Sequence, residues 1–199
     1  MGDFEKEFSW NSAESQEVRR SILDGSFRYC SELGCPYMLN DTLPLREDVT
    51  DPYLKGIIDN NLTELPQGPK NLLLAYDRSC NLSCPSCRPE VFVESRETTQ
   101  SLNEIMDGIL PPILAAVDDL RISQVGEALA SAHYRRLLKT ISPSTHPSLT
   151  ISLMTNLKLV SEETWRAIGP AADCIKTIVA SIDGATPATL EKLRRGITW

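Results

Sequence analysis

The sequence predicts an α/β fold built on a parallel β-sheet, and two observations support this prediction. First, short apolar segments of strand length alternate with helical segments from Asn71 to the end of the 199-residue chain. Second, helix-capping residues precede the helical segments, at Ser101, Ser161 and Thr186-Pro187. Four such strand–helix repeats imply parallel strands joined by right-handed crossovers.

The four strands are expected at residues 72–76, 119–123, 149–154 and 177–182. The first helix is expected to begin after Ser101, and Pro111-Pro112 should break or restart it because proline removes a helical hydrogen bond. The third helix should begin after Ser161 and end at Gly169-Pro170.

The part of the chain before residue 71 has a different character. Ser12 is a candidate N-cap of a short amphipathic helix that Gly25 ends. Residues 41–70 contain four prolines and several turn-forming residues, with room for one helical turn, and this composition predicts a linker. The sequence therefore divides into a cysteine-bearing segment at 1–40, a linker at 41–70 and a core at 71–199.

Composition excludes several function classes. The formal net charge of −7 gives no electrostatic support for a nucleic-acid partner. No apolar run approaches the roughly 20 residues of a membrane span, and the acidic N-terminus lacks the apolar core of a signal peptide. We therefore expect a cytoplasmic protein, in which six cysteines indicate metal binding more than disulfides.

Three of these cysteines, Cys80, Cys84 and Cys87, directly follow the first predicted strand with the spacing CxxxCxxC. A loop can bring three such thiolates to one face of a metal cluster. Three sulfurs are one too few for a closed tetrahedral zinc site, but they leave one iron of a cubane 4Fe–4S cluster open to a ligand. A zinc site completed by Cys174, His133 or His146 is the alternative.

This CxxxCxxC loop after a first strand resembles the radical S-adenosylmethionine (radical SAM) superfamily. The resemblance implies a 4Fe–4S cluster on Cys80, Cys84 and Cys87, with S-adenosylmethionine bound at the open iron. It also implies reductive cleavage of S-adenosylmethionine to a 5′-deoxyadenosyl radical that abstracts hydrogen from a substrate. A flavodoxin- or ferredoxin-type reductant would then be a partner.

Further resemblances lie at the ends of the other predicted strands. Gly126-Glu127 is similar to the Gly-Gly-Glu motif of the family, which implies that Glu127 holds the S-adenosylmethionine amine. Asn156 lies in a Thr-Asn segment that resembles the family's Thr-Asn-Gly, which implies contact with S-adenosylmethionine or substrate; the alternative is a plain turn residue. Ser181 and Asp183 lie in a Ser-x-Asp-Gly segment that resembles the one near the S-adenosylmethionine ribose or carboxylate. Arg194 is a candidate partner for the S-adenosylmethionine carboxylate, or else a basic residue that offsets a helix dipole.

The segment at residues 10–39 resembles the tail of a SPASM module, which carries auxiliary iron–sulfur clusters in many radical SAM enzymes. Cys30 and Cys35 are then possible ligands of an auxiliary cluster whose other ligands are missing from this chain. The alternative is that both thiols simply pack as small apolar groups in a loop.

The sequence thus predicts a radical SAM enzyme with a partial (β/α) barrel of about four units, acting on a peptide or protein substrate. The rival class is a non-enzymatic iron–sulfur or zinc-binding protein. The family barrel has six units, so we also expect this chain to be a fragment that is marginally stable by itself.

Overall fold

The computed structural model describes residues 10–199, and the chain divides into two compact units, Met1–Gly68 and Pro69–Trp199. Residues 1–9 of the predicted cysteine-bearing segment lie outside the described residues. No helix in the described part of the chain is both long and apolar enough to cross a bilayer.

The first unit contains short helices, which are α1 (Ala13–Leu23), α2 (Pro36–Leu39) and α3 (Pro52–Asp59), with a 3-10 turn at Arg46–Asp48. The predicted caps of α1 are confirmed. The Ser12 hydroxyl accepts a hydrogen bond from the Ser15 amide, and Gly25 follows the helix with a φ of 75°. The Ser12 cap and the Gly25 turn each depend on residues only a few positions apart, which is why the sequence predicts them.

Most of the predicted linker, residues 41–68, falls within the first compact unit, and its role as a separate linker stays a prediction. The indole Nε1 of Trp10 donates to the Gln67 carbonyl at 2.7 Å, and a guanidinium nitrogen of Arg19 donates to the Thr63 carbonyl at 2.9 Å. Carbonyls in a turn-rich segment lack partners within their own segment. Side chains of Trp10, just before the first helix, and of Arg19, within it, supply two of those partners.

The second unit contains the predicted parallel sheet. Its strands are β1 (Asn71–Leu74), β2 (Asp119–Ile122), β3 (Thr150–Thr155) and β4 (Ile175–Ala180), in the order β1-β2-β3-β4 with all pairs parallel. The sheet among the described residues is open, so closure into a barrel stays a prediction.

Strand β1 ends two residues earlier than the sequence predicts. The amides of Tyr76 and Asp77 donate to the hydroxyl of Tyr134 at 3.1 and 3.2 Å instead of to a neighbouring strand. Strand β4 is likewise shifted toward the N-terminus, and its pairing with β3 contains an irregularity at Ile151/Ser152. Long-range contacts of this kind have no local signature in the sequence.

Four helices pack with the sheet, namely α4 (Arg96–Leu114), α5 (Ala132–Leu138), α6 (Glu162–Ala167) and α7 (Pro187–Leu193), with a 3-10 helix at Gly169–Cys174. The predicted caps Ser161 and Thr186 are confirmed, because each hydroxyl accepts from the amide three residues later. Two predictions for α4 are wrong. Ser95 caps it instead of Ser101, and Pro111-Pro112 continue the helix to Leu114. Their fixed φ is helical, although each lacks the amide that would bond to the preceding turn.

One face of the sheet forms the core. Alternate strand residues on this face are almost completely buried, among them Leu120, Ile122, Ile151 and Leu153, and they pack against helical residues such as Leu137. The opposite face is more open and more polar. Residues of neighbouring strands lie side by side there in the register Leu73, Arg121, Ser152 and Thr177. The loops that follow the four strands are therefore held by a single packed layer.

Candidate functional site

The three cysteines of the CxxxCxxC motif lie in the loop that follows β1. Cys80 is fixed at the start of this loop by a bridge to Phe92, with hydrogen bonds of 2.7 and 3.2 Å between their backbones. The carbonyl of Cys84 accepts from the amides of Cys87 and Arg88, each at 2.9 Å. A single tight turn thus brings the second and third cysteines together, while the bridge to Phe92 fixes the first.

A pocket of about 210 Å³ opens over this loop. Every core site residue that the sequence predicts lines it, namely Cys80, Cys84, Cys87, Gly126, Glu127, Asn156, Ser181, Asp183 and Arg194. These residues come from the ends of all four strands and from α7. The carboxyl ends of parallel strands meet at one edge of a sheet, and this convergence follows from that topology.

The chemistry of the three thiols fits a soft metal or an iron–sulfur cluster. All three are free of disulfides; Cys84 is buried, Cys80 is partly buried and Cys87 is exposed. Burial raises the pKa of the Cys84 thiol, Arg194 opposes that increase, and the nearby Cys80 and Cys87 thiols add to it. No three His, Cys, Asp or Glu side chains among residues 10–199 are already grouped in the geometry of a metal site. The donor set is therefore suitable, and a metal would draw the thiols together.

Gly126 lies where the cysteine loop crosses the end of β2. A Cβ atom on this residue would lie 2.6 Å from the Ser79 carbonyl oxygen and 2.7 Å from that of Asp77. The Glu127 amide also donates to the Ser79 carbonyl at 2.7 Å. Only a residue without a side chain permits this close approach of two backbones, and the approach sets the position of the loop.

The carboxylate of Glu127 is buried and connects the ends of β2 and β3. One oxygen accepts from the Thr155 hydroxyl at 2.8 Å and from the Leu129 amide at 3.2 Å, and the other accepts from the Asn156 amide at 2.6 Å. A carboxylate has about four acceptor positions. Glu127 therefore organises the turn after β3 and keeps capacity for about one further donor.

The turn after β3 places Asn156 beside the cysteine loop. Its side-chain amide donates to Asn81 Oδ1 at 2.9 Å and lies 4.0 Å from the Cys80 sulfur. The next residue, Leu157, has a φ of 67°, in the left-handed region that favours glycine. A glycine at this position, as in the Thr-Asn-Gly segment that the sequence resembles, would adopt this conformation without strain.

We expect the substitution Leu157→Gly to raise the free energy of unfolding by about 1 kcal/mol, because a left-handed conformation costs a branched residue roughly 1–2 kcal/mol. Chemical denaturation measures the change. Leu157→Ala is the matched control, since alanine also removes the side chain but keeps the strained Cβ. An equal gain in both variants would show that the backbone conformation is not the cause.

Ser181 and Asp183 follow β4, and Arg194 ends α7. The Ser181 amide donates to the Thr155 carbonyl at 2.9 Å, which extends the pairing of β4 with β3. The Nε of Arg194 lies 2.8 Å from Oδ2 of Asp183, an ion-pair distance at an angle unsuited to a hydrogen bond. Arg194 thus has a carboxylate partner within the chain. Its predicted pairing with a bound carboxylate would have to compete with that partner or add to it.

The alternative zinc ligands lie elsewhere in the fold. His133 is completely buried, and its ring bonds to Tyr76 and Asn103, both at 2.8 Å. Burial lowers the pKa of His133, which favours a neutral ring. Cys174 packs in the core, and His146 contacts the Thr145 hydroxyl. None of the three lines the cysteine pocket.

The two cysteines of the first unit, Cys30 and Cys35, have free thiols in separate turns. Cys30 is exposed and Cys35 is half-buried at the start of α2. No third metal-ligating side chain joins them among the described residues. An auxiliary cluster on these thiols stays a prediction.

Sequence reasoning missed the buried network that supports the cysteine loop. The hydroxyl of Tyr134 donates to the Leu74 carbonyl at 3.1 Å and accepts from the amides of Tyr76 and Asp77, just beyond β1. Asp77 accepts from the Ser79 amide at 2.8 Å and from the Ser131 hydroxyl at 2.5 Å. Tyr134 has helical spacing with Leu137 and Leu138, so its sequence context indicates only a core residue. Its partners lie about sixty positions away in the chain.

Comparison with known proteins adds a few facts. No family model matches the chain, and no curated protein does. Among solved structures, BtrN in complex with AdoMet and 2-DOIA has 15% identity and a TM-score of 0.37 over 59% of this chain. Streptococcus suis SuiB bound to S-adenosylmethionine has 17% identity and a TM-score of 0.42 over 92% of this chain. The chain spans 46% and 40% of those two proteins. TM-scores below 0.5 establish neither the fold family nor the function of this chain.

Proposed function

We propose that this chain is a radical SAM enzyme core, in which Cys80, Cys84 and Cys87 hold a 4Fe–4S cluster and the adjoining pocket binds S-adenosylmethionine. One observation carries the proposal. The CxxxCxxC thiols and the six other predicted positions, five after strands and Arg194 at the end of α7, line a single pocket. Structural zinc sites are closed by four protein ligands. None of the residues weighed as a fourth zinc ligand lines this pocket.

In this proposal, different residues bind the cluster and the different parts of S-adenosylmethionine. The three thiolates would hold the cluster with one iron left for the ligand, and a cluster bound there would supply the electron for reductive cleavage of S-adenosylmethionine. Glu127 offers its remaining acceptor capacity to the ligand's ammonium group. Asn156 and Ser181 contribute polar groups to the lining of the same pocket, and Arg194 with Asp183 contributes an ion pair.

The finer parts of the proposal rest on the sequence resemblance. They are a SPASM-like role for Cys30 and Cys35, a peptide or protein substrate, and a flavodoxin- or ferredoxin-type reductant. A cytoplasmic location belongs with them, since such reductants and a reduced cluster need a reducing compartment.

Anaerobic reconstitution with iron and sulfide tests the proposal. We expect a brown protein with about four iron and four sulfide per chain, whose electron paramagnetic resonance signal changes when S-adenosylmethionine is added. Dithionite should then produce 5′-deoxyadenosine. A colourless protein that binds one zinc ion and no iron would replace the proposal with the non-enzymatic zinc-binding alternative.

Glu127→Gln is expected to weaken S-adenosylmethionine binding to the reconstituted protein by about 10- to 100-fold. A charge-assisted hydrogen bond contributes about 1.5–3 kcal/mol, and the amide lacks the negative charge. Binding is measured by calorimetry under anaerobic conditions, and the iron content should stay unchanged.

A comparison variant separates ligand binding from support of the turn after β3. Thr155→Val removes one donor to the Glu127 carboxylate but keeps its charge. We expect this variant to lose less than about threefold in affinity. Equal losses in both variants would assign Glu127 to the organisation of the turn alone.

A further inference from the structure

The cysteine loop has its entrance at Arg78 and its exit at Arg88, and the Arg88 side chain lies where these two ends approach each other. Arg88 directly follows the third cysteine and lines the pocket. Its Nη1 donates to the Arg78 carbonyl at 2.5 Å, and its Nη2 donates to the Val125 carbonyl at 2.6 Å. One guanidinium therefore joins the exit of the loop to its entrance and to the turn after β2.

The two acceptors are positioned independently of Arg88. Arg78 is followed by Ser79, whose carbonyl accepts from the Glu127 amide, and Val125 precedes Gly126, which packs against the same backbone. The entrance of the loop and the β2 turn thus form one rigid platform. The amides of Cys87 and Arg88 hold the exit of the loop through their bonds to the Cys84 carbonyl. The Arg88 side chain adds two hydrogen bonds from this exit to the platform.

The shape of the guanidinium suits this task. Its nitrogens donate in a planar fork that reaches two separate carbonyls at once, whereas a lysine ammonium is a compact charge on a flexible stem. Carbonyl oxygens with a charged donor form hydrogen bonds stronger than neutral ones. The two bonds join the residue after Cys87 to the backbone two residues before Cys80 and to the turn after β2.

We propose that Arg88 is a positioning residue that, together with the Cys80–Phe92 bridge, closes the three-cysteine loop and restricts its conformations before any metal binds. As a role in cluster assembly, this inference rests on the proposed function. The closure itself is a property of the metal-free chain and is tested separately.

Amide hydrogen exchange of the metal-free, full-length protein tests the closure. Arg88→Lys keeps the charge but loses the fork, and the amides of Cys87 and Arg88 should exchange on the order of tenfold faster than in the wild type. Arg78→Lys is the matched control, because the Arg78 side chain faces the Phe92 ring and only its carbonyl meets Arg88. Exchange in this control should stay within about twofold.

Unchanged exchange in Arg88→Lys would overturn the closure. Arg88→Met, which also removes the charge, is the second variant. A wild-type rate in the lysine variant together with fast exchange in the methionine variant would assign Arg88 a purely electrostatic role and would also reject the proposal.

Iron retention then tests the link to the cluster. After reconstitution, Arg88→Lys should release iron to a chelator several-fold faster than wild type, while its thermal unfolding changes little. Equal release rates would restrict Arg88 to a role in the metal-free loop and overturn its role in holding the cluster. Failure of the wild-type protein to take up iron would overturn the proposed function, and hydrogen exchange would still decide the closure.

Discussion

Replacing any one of Cys80, Cys84 and Cys87 by alanine is expected to abolish the iron–sulfur cluster that responds to S-adenosylmethionine. Three thiolates are the smallest protein donor set that leaves a cubane with one open iron, and two cannot hold it in that form. Visible absorption, iron and sulfide content, and the electron paramagnetic resonance signal after reduction measure the loss.

The control for this prediction is Cys174→Ala, which removes a thiol that packs in the core away from the pocket. This variant should lose some stability, because a small cavity replaces a buried sulfur, but it should retain full cluster content. A cluster that persists in all three single variants of the motif would contradict the assignment of the ligands.

Gly126→Ala is expected to displace the cysteine loop and to lower the free energy of unfolding by about 1–3 kcal/mol. The added Cβ would come within 2.7 Å of two backbone oxygens, of Ser79 and Asp77, and backbone cannot move aside as a flexible side chain can. Because this contact positions the start of the loop, iron uptake should fall along with stability. Chemical denaturation and iron content measure the two effects.

Gly56→Ala is the matched control for the added methyl group. Gly56 lies in α3, and nothing lies within 4 Å of a Cβ built on it. Alanine there should leave iron uptake unchanged and stabilise the helix by up to about 1 kcal/mol. If Gly126→Ala resembled this control in both measurements, the close contact would not position the loop.

The sequence by itself determined the features that depend on neighbours a few residues apart. Ser12, Ser161 and Thr186 cap their helices with bonds to amides three residues on, and the sequence predicts each of them. Alternation of strands and helices likewise predicts the parallel sheet, and the topology then requires the strand-end residues to share one edge. The convergence of Gly126, Asn156 and the cysteines on one pocket is therefore a consequence of local patterns.

Only the tertiary structure decided features that depend on partners far apart in the chain. Strand β1 ends at Leu74, and the hydroxyl of Tyr134 takes the amides of Tyr76 and Asp77. Trp10 and Arg19 bond to the carbonyls of Gln67 and Thr63, far along the chain. A hydroxyl or guanidinium can bond to any suitable backbone group that folding brings near it. The residue type alone does not specify which backbone group that is. The tertiary structure selects the partner. The local spacing of the cysteines was enough to predict their loop, whereas the bonds of the Arg88 guanidinium depend on partners that only the fold brings near.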